Sequence, residues 1–283
     1  MSRRRRRTAP GGGGSRIAPA LRWPAHRLPR SLWSKSALAL VLLVAAGLSP
    51  GLLPTVHRSG RWAVIVDQLA LTAPNPAFAE SATQTLEAGG YGVDYVHGES
   101  VNVDYYRNLP AQDYDVVVFR AHSGRLRLKG QTQVEDDAGL FTTQVYSRPL
   151  YADEQLDERL FIARYLDIPG PSYFGIAPKF ISRSMRGSFH GATIILMGCD
   201  GARGEQLAAA FKEKGAGAVI GWDELVTSNR TDAATDRLLT HLVHDGLSPE
   251  DAVRATMREI GPDWEYASRL VVFQGDRPAS ANN

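Results

Sequence analysis

Cysteine is almost missing from this 283-residue chain: Cys199 is the only one. An intrachain disulfide is therefore excluded, and so is a CxxC-type zinc site. No HExxH spacing occurs either. No glycine-rich phosphate loop follows the first apolar strand, which runs on into "DQLALTAPNP". Neither a metal nor a cofactor is expected. Net charge is also scarce. At +2 overall, the chain offers no general electrostatic case for nucleic acid, and no such partner is expected.

Acidic residues are absent from positions 1–35, which hold ten of the 32 Lys and Arg. The rest of the chain is thus net acidic. This arm is rich in Gly and Pro, cannot bury enough surface to fold, and reads as disordered. Charge of either sign is absent from 36–56, "SALALVLLVAAGLSPGLLPTV". That run is about long enough to cross a bilayer as a helix. Basic residues before it predict a cytoplasmic N-terminus and a single-pass anchor in the cell membrane over 36–57. The domain at 58–283 is then extracytoplasmic. The alternative is a signal peptide that is cleaved, releasing a secreted domain.

From Arg58 the pattern alternates strand and helix. Strands are expected at "RWAVIVDQ", "YGVDYVHG", "DVVVFRAH", "GATIILMGC" and "AGAVIGW", with an edge strand at "SRLVVFQG". The third is apolar throughout, as a parallel strand buried on both faces should be. Helices are expected after Asn75, over 205–214, and in two segments spanning 231–260, the second capped by Ser248 with Pro249 behind it. Residues 125–190 break the rhythm. They read as hairpin or loop pieces, a helix over "DERLFIARYLDI", and a loop leading to a short helix. His241 and His244 read as exposed helical positions. The fold class that follows is α/β, a three-layer sandwich around a mainly parallel sheet.

In such sheets, reactive residues collect beyond the carboxyl ends of the strands. The third strand ends in Ala121-His122-Ser123-Gly124, the fourth in Gly198-Cys199-Asp200-Gly201, and the fifth in Gly221-Trp222-Asp223. If the third and fourth are neighbours, His122 and Cys199 emerge on one rim, as a base and its thiol nucleophile must. Structural alternatives are a buried small cysteine and a loop-bonding histidine, or a flavodoxin-like domain without thiol chemistry.

"VVVFRAHSG" and "IILMGCDG" resemble the histidine and cysteine motifs of the caspase–hemoglobinase fold of cysteine peptidases, which includes caspases, gingipains, separases and CHAT domains. "GAGAVIGW" with "LLTHLVHDGLSPEDAVRAT" is similar to the CHAT pattern after its cysteine. The likeness covers roughly 115–257. It implies a caspase-like fold and a cysteine endopeptidase acting on a peptide or protein substrate, or a catalytically inactive binding and signalling module of the same fold. His122 would be the base and Cys199 the nucleophile. The Cys199 N–H with backbone near Ser123 or Gly124 would form the oxyanion hole. Asp200 and Trp222-Asp223 would border the specificity pocket, where Asp223, or Asp67 from the first strand, would favour a basic residue. The family usually has glycine directly after the histidine; here Ser123 intervenes. No clear activation-cleavage site is present: Lys129 and Arg148 lie in candidate exposed loops, as such residues do in any loop.

Overall fold

The computed structural model describes residues 58–125, 138–165, 169–202 and 205–273. The basic arm, the apolar run at 36–57 and Lys129 lie outside them. Among the described residues no helix is long and apolar enough to cross a membrane.

The chain from Arg58 onward is α/β. Strands β1 (Arg61–Asp67), β2 (Tyr91–His97), β3 (Val116–Arg120), β8 (Thr193–Leu196), β9 (Ala218–Trp222) and β10 (Leu270–Phe273) form one sheet in the order β10-β9-β8-β3-β1-β2. All pairs are parallel except β9 with the edge strand β10. Every residue of β3 and of β9 is buried, which accounts for their unbroken apolar sequences.

Period-two alternation divides the core between the two faces. Val64, Val66, Val117, Phe119, Ile194 and Leu196 face one way. Packed there are helices α2 (Val103–Asn108), α4 (Pro178–Arg183) and α5 (Glu205–Glu213). Ala63, Ile65, Val118, Ile195, Ile220 and Trp222 face the other. They pack against α1 (Pro76–Ala88), α6 (Ser228–Val243) and α7 (Pro249–Glu259). Helices thus cover both faces of the sheet. The helix starts follow the sequence: the Asn75 side chain accepts from Phe78 N, and that of Ser248 from Asp251 N.

The described part of 123–176 is sheet where hairpin or loop pieces and a helix are expected. Strands β4 (Ser123–Arg125), β5 (Ala138–Val145), β6 (Leu160–Ala163) and β7 (Tyr173–Ile176) make a second, antiparallel sheet in the order β4-β5-β7-β6. Helix α3 (Ala152–Leu156) precedes β6. Where a helix is expected in "DERLFIARYLDI", Leu160–Ala163 is a strand. Its Leu160 and Ala163 are buried while Ile162 is exposed. Pairing with β7 outweighs a weak helical period over four residues. Phe161 lies across Gly175 and Gly139, where any Cβ would clash with its ring.

Candidate active site

The strand order brings the two motif strands together. Leaving β1, the chain reaches its neighbour β2 on one side and later β3 on the other, so the switch in direction falls between β1 and β3. Crevices form at such points, outside the carboxyl ends. β3 also pairs directly with β8, with Phe119 opposite Leu196. The strands stop short of both residues: His122 follows the end of β3 by two residues, and Cys199 follows the end of β8 by three, in a turn. Neighbouring strands are about 4.8 Å apart. Val116, Val118, Ile195 and Met197 belong to one core cluster, and Cys199 packs against it.

Gly198 is what permits this approach. A Cβ there would lie 2.7 Å from Ser123 N, and closer still to Ser123 Oγ and Ala121 O. Ser123, buried, donates its hydroxyl to Cys199 O. The residue that separates His122 from Gly124 therefore ties the two motif strands together. Directly after Cys199 the backbone turns: Asp200 has φ 56°, in the left-handed region, and its N–H donates to Glu224 O at 3.0 Å. Such a φ is uncommon for a residue with a Cβ, and Asp is among those that accept it.

His122 is held from the loop that follows β1. Its Nε2 lies 2.9 Å from Thr72 Oγ1, and its backbone N–H donates to Gln68 Oε1 at 2.9 Å. Gln68, fully buried, also donates to Tyr165 Oη at 2.5 Å. The Tyr165 ring lies 5.0 Å from the imidazole, centre to centre, and Phe141 6.0 Å. Burial in this aromatic pocket, with the Arg120 charge behind it, lowers the imidazole to about 4.

The cysteine is free and half-buried. Its sulfur lies 3.7 Å from Val226 O, and no hydrogen bond joins it to His122. Burial pushes the thiol up. Asp200 and Asp263 add to the rise, and backbone bonds from Val226 and from Cys199 itself offset part of it. Both shifts favour a neutral thiol beside a neutral imidazole over a thiolate–imidazolium pair.

Beneath the rim lies an ion cluster that sequence reading missed. Arg120, fully buried, donates to Asp67 Oδ1 at 2.8 Å, to both oxygens of Asp232 at 2.8 and 2.9 Å, and to Ala73 O at 2.9 Å. The cluster ties the ends of β1 and β3 to the start of α6. Its one sequence signal is an arginine inside an otherwise apolar strand, since a buried guanidinium requires partners. Nothing in the spacing marked Gln68 or Thr72.

The expected pocket residues are placed as follows. Trp222 is a core side chain with no exposure, and its Nε1 donates to Thr231 Oγ1 at 2.9 Å. Asp223 Oδ1 accepts from Arg269 N at 2.7 Å and so pins β10 to β9. Asp67 is 1% exposed and paired with Arg120; Asp200 is buried. Gly124 sits in β4, paired with Gly139. His241, expected on an exposed face, is buried between Asp245 at 2.7 Å and Glu259 at 3.1 Å. Among the described residues no group of three or more His, Cys, Asp and Glu could hold a metal ion. Comparison of the sequence with family models and with curated proteins finds no match.

Proposed function

We propose that the chain is a membrane-anchored, caspase-like cysteine endopeptidase whose reacting pair is Cys199 and His122. The observation that carries this reading is the β3–β8 pairing, in which His122 follows one strand and Cys199 the other at the same rim. In the tautomer whose Nε2–H donates to Thr72 Oγ1, Nδ1 is left as the base. Because both groups start neutral, the thiol proton passes to the imidazole as the sulfur attacks the substrate carbonyl. No preformed ion pair is required. The Cys199 N–H would serve the developing oxyanion. The imidazolium then returns its proton to the leaving amine, and water releases the acyl group by the same route. Substrate cleavage is placed outside the cytoplasm, on the far side of the segment at 36–57.

A second reading is favoured by a specific observation. The sulfur bonds Val226 O, the imidazole bonds Thr72, and burial opposes ionisation of both. These features suit a silent module of the same fold that binds partners at the membrane. Iodoacetamide labelling of Cys199 in the full chain decides between them. Fast labelling at pH 7 that drops at least tenfold in His122→Ala supports the peptidase. Slow labelling indifferent to His122 supports the silent module.

A further inference from the structure

Beside the Cys199 rim three large apolar side chains lie open to solvent: Leu225 at 44%, Trp264 at 74% and Tyr266 at 42% exposed. Scattered singly, such residues are ordinary; gathered beside a nucleophile, they mark a binding surface. Two loops present them. The first follows β9 and is bonded to the cysteine turn on both sides of Leu225. Glu224 O accepts from Asp200 N at 3.0 Å, and Val226 O lies 3.7 Å from the Cys199 sulfur. The second loop, between α7 and β10, carries Trp264 and Tyr266.

Asp263 fastens the second loop to the first. It is buried, and its Oδ2 accepts from Thr227 N and Thr227 Oγ1 at 3.0 and 2.8 Å. Its Oδ1 accepts from the N–H groups of Glu265 and Tyr266 at 2.8 and 3.0 Å. Four donors fill the roughly four lone-pair positions of a carboxylate. The loop is thereby held with both rings at the surface. Cys199 is within electrostatic reach of Asp263 and of the Tyr266 phenol, so this loop stands at the nucleophile and not on a remote face. Three carboxylates along the two loops are already engaged: Asp263 as above, Asp223 with Arg269 N, and Glu265 with the Tyr266 phenol. What the loops present to a ligand is mainly apolar and aromatic area.

We propose that Leu225, Trp264 and Tyr266 receive an apolar side chain, preferably aromatic, of the substrate residue whose carbonyl Cys199 attacks. The proposal rests on the peptidase reading and adds the substrate class to it. Docking such a side chain here removes apolar area from water on both partners, and aromatic faces favour a further ring.

The test uses acyloxymethyl ketones built on single capped residues, Phe, Leu, Gly, Lys and Asp, which alkylate a catalytic thiol with release of their carboxylate. The full chain, in a zwitterionic detergent, is treated with each, and the adduct on Cys199 is timed by mass spectrometry. The Phe and Leu probes should react at least about tenfold faster than the other three, the scale on which hydrophobic pockets discriminate. Trp264→Ser and Leu225→Ser should each lower the Phe-to-Gly ratio about three- to tenfold with unchanged circular dichroism spectra, since exposed substitutions leave a fold intact. Leu156→Ser, at an exposed apolar position on α3, should leave the ratio unmoved. A wild-type ratio near one, a Lys or Asp probe that reacts fastest, or a ratio that neither loop substitution lowers overturns the proposal. Iodoacetamide labelling of the same samples separates that failure from failure of the peptidase reading. Fast, His122-dependent labelling without a Phe preference removes the substrate class alone. Slow labelling indifferent to His122, with no ketone adduct, removes both.

Discussion

Arg120→Met removes a cation from the interior and leaves its carboxylates behind. Methionine is close in volume and keeps the contact with Phe78, whose ring lies 5.5 Å from the guanidinium carbon. What is lost is four hydrogen bonds and the charge that neutralises Asp67 and Asp232, all in a site that is almost fully buried. Removing one partner of a buried ionic cluster costs about 3–5 kcal/mol, because the remaining charges have neither water nor a counterion. Against a total stability of about 5–15 kcal/mol, that is a large share. At a urea slope of about 2–3 kcal/mol per molar, the midpoint falls by roughly 1–2.5 M. The triple variant Asp67→Asn, Arg120→Met, Asp232→Asn removes the stranded charges and should recover more than half of the loss. The same substitution should raise the His122 titration seen by NMR, since Arg120 helps hold the imidazole down. A single-variant cost below about 1 kcal/mol, the range of exposed pairs, would refute the argument that the cluster is desolvated.

Three further outcomes are expected. The folded imidazole of His122 titrates near 4 and an unfolded one near 6.5, so the unfolded chain takes up more protons between those values. Stability should therefore fall as pH drops from 6.5 to 4, by up to about 3 kcal/mol, and His122→Gln should flatten that part of the profile in denaturation curves collected at each pH. Gly198→Ala should cost about 1–3 kcal/mol by forcing the ends of β3 and β8 apart, and should alter Cys199 labelling more than Gly201→Ala does. In a fluorogenic peptide panel, Asp223→Ala should leave any preference for Arg or Lys unchanged, since its carboxylate is spent on Arg269 N, while lowering thermal stability through loss of the β9–β10 tie.

The main sheet was legible because its strands are buried on both faces. "VVVFR", "TIIL" and "AVIGW" have no polar alternation to confuse with a helix, and their buried patterns are continuous or nearly so. Helices α1 and α7 were legible from Asn75 and Ser248, whose side chains accept the amide bonds that such residues accept at helix starts. The second sheet was not. β6 and β7 are four residues each and belong to a sheet whose pairs join distant segments. In strands that short, local pattern carries little information and pairing decides. Trp222 and Asp223 illustrate the same limit. Position at a strand end suggested a pocket, but the indole is covered by α6 and the carboxylate is taken by β10.

By itself, the sequence determined the alternation of strand and helix, the apolar strand interiors and the place of His122 and Cys199 shortly after two of the strands, which end at Arg120 and Leu196. Those features depend on residues adjacent in the chain, so local pattern encodes them. Only the tertiary structure decided that β3 and β8 are neighbours, that Ser123 bridges to Cys199, that Thr72 and Gln68 hold the histidine, and that Arg120 is buried between Asp67 and Asp232. Each of those joins segments tens of residues apart, and burial sets its energetic weight. Water-accessible, the same charges and hydroxyls would contribute little; enclosed, they determine which groups stay neutral and which partners each must keep.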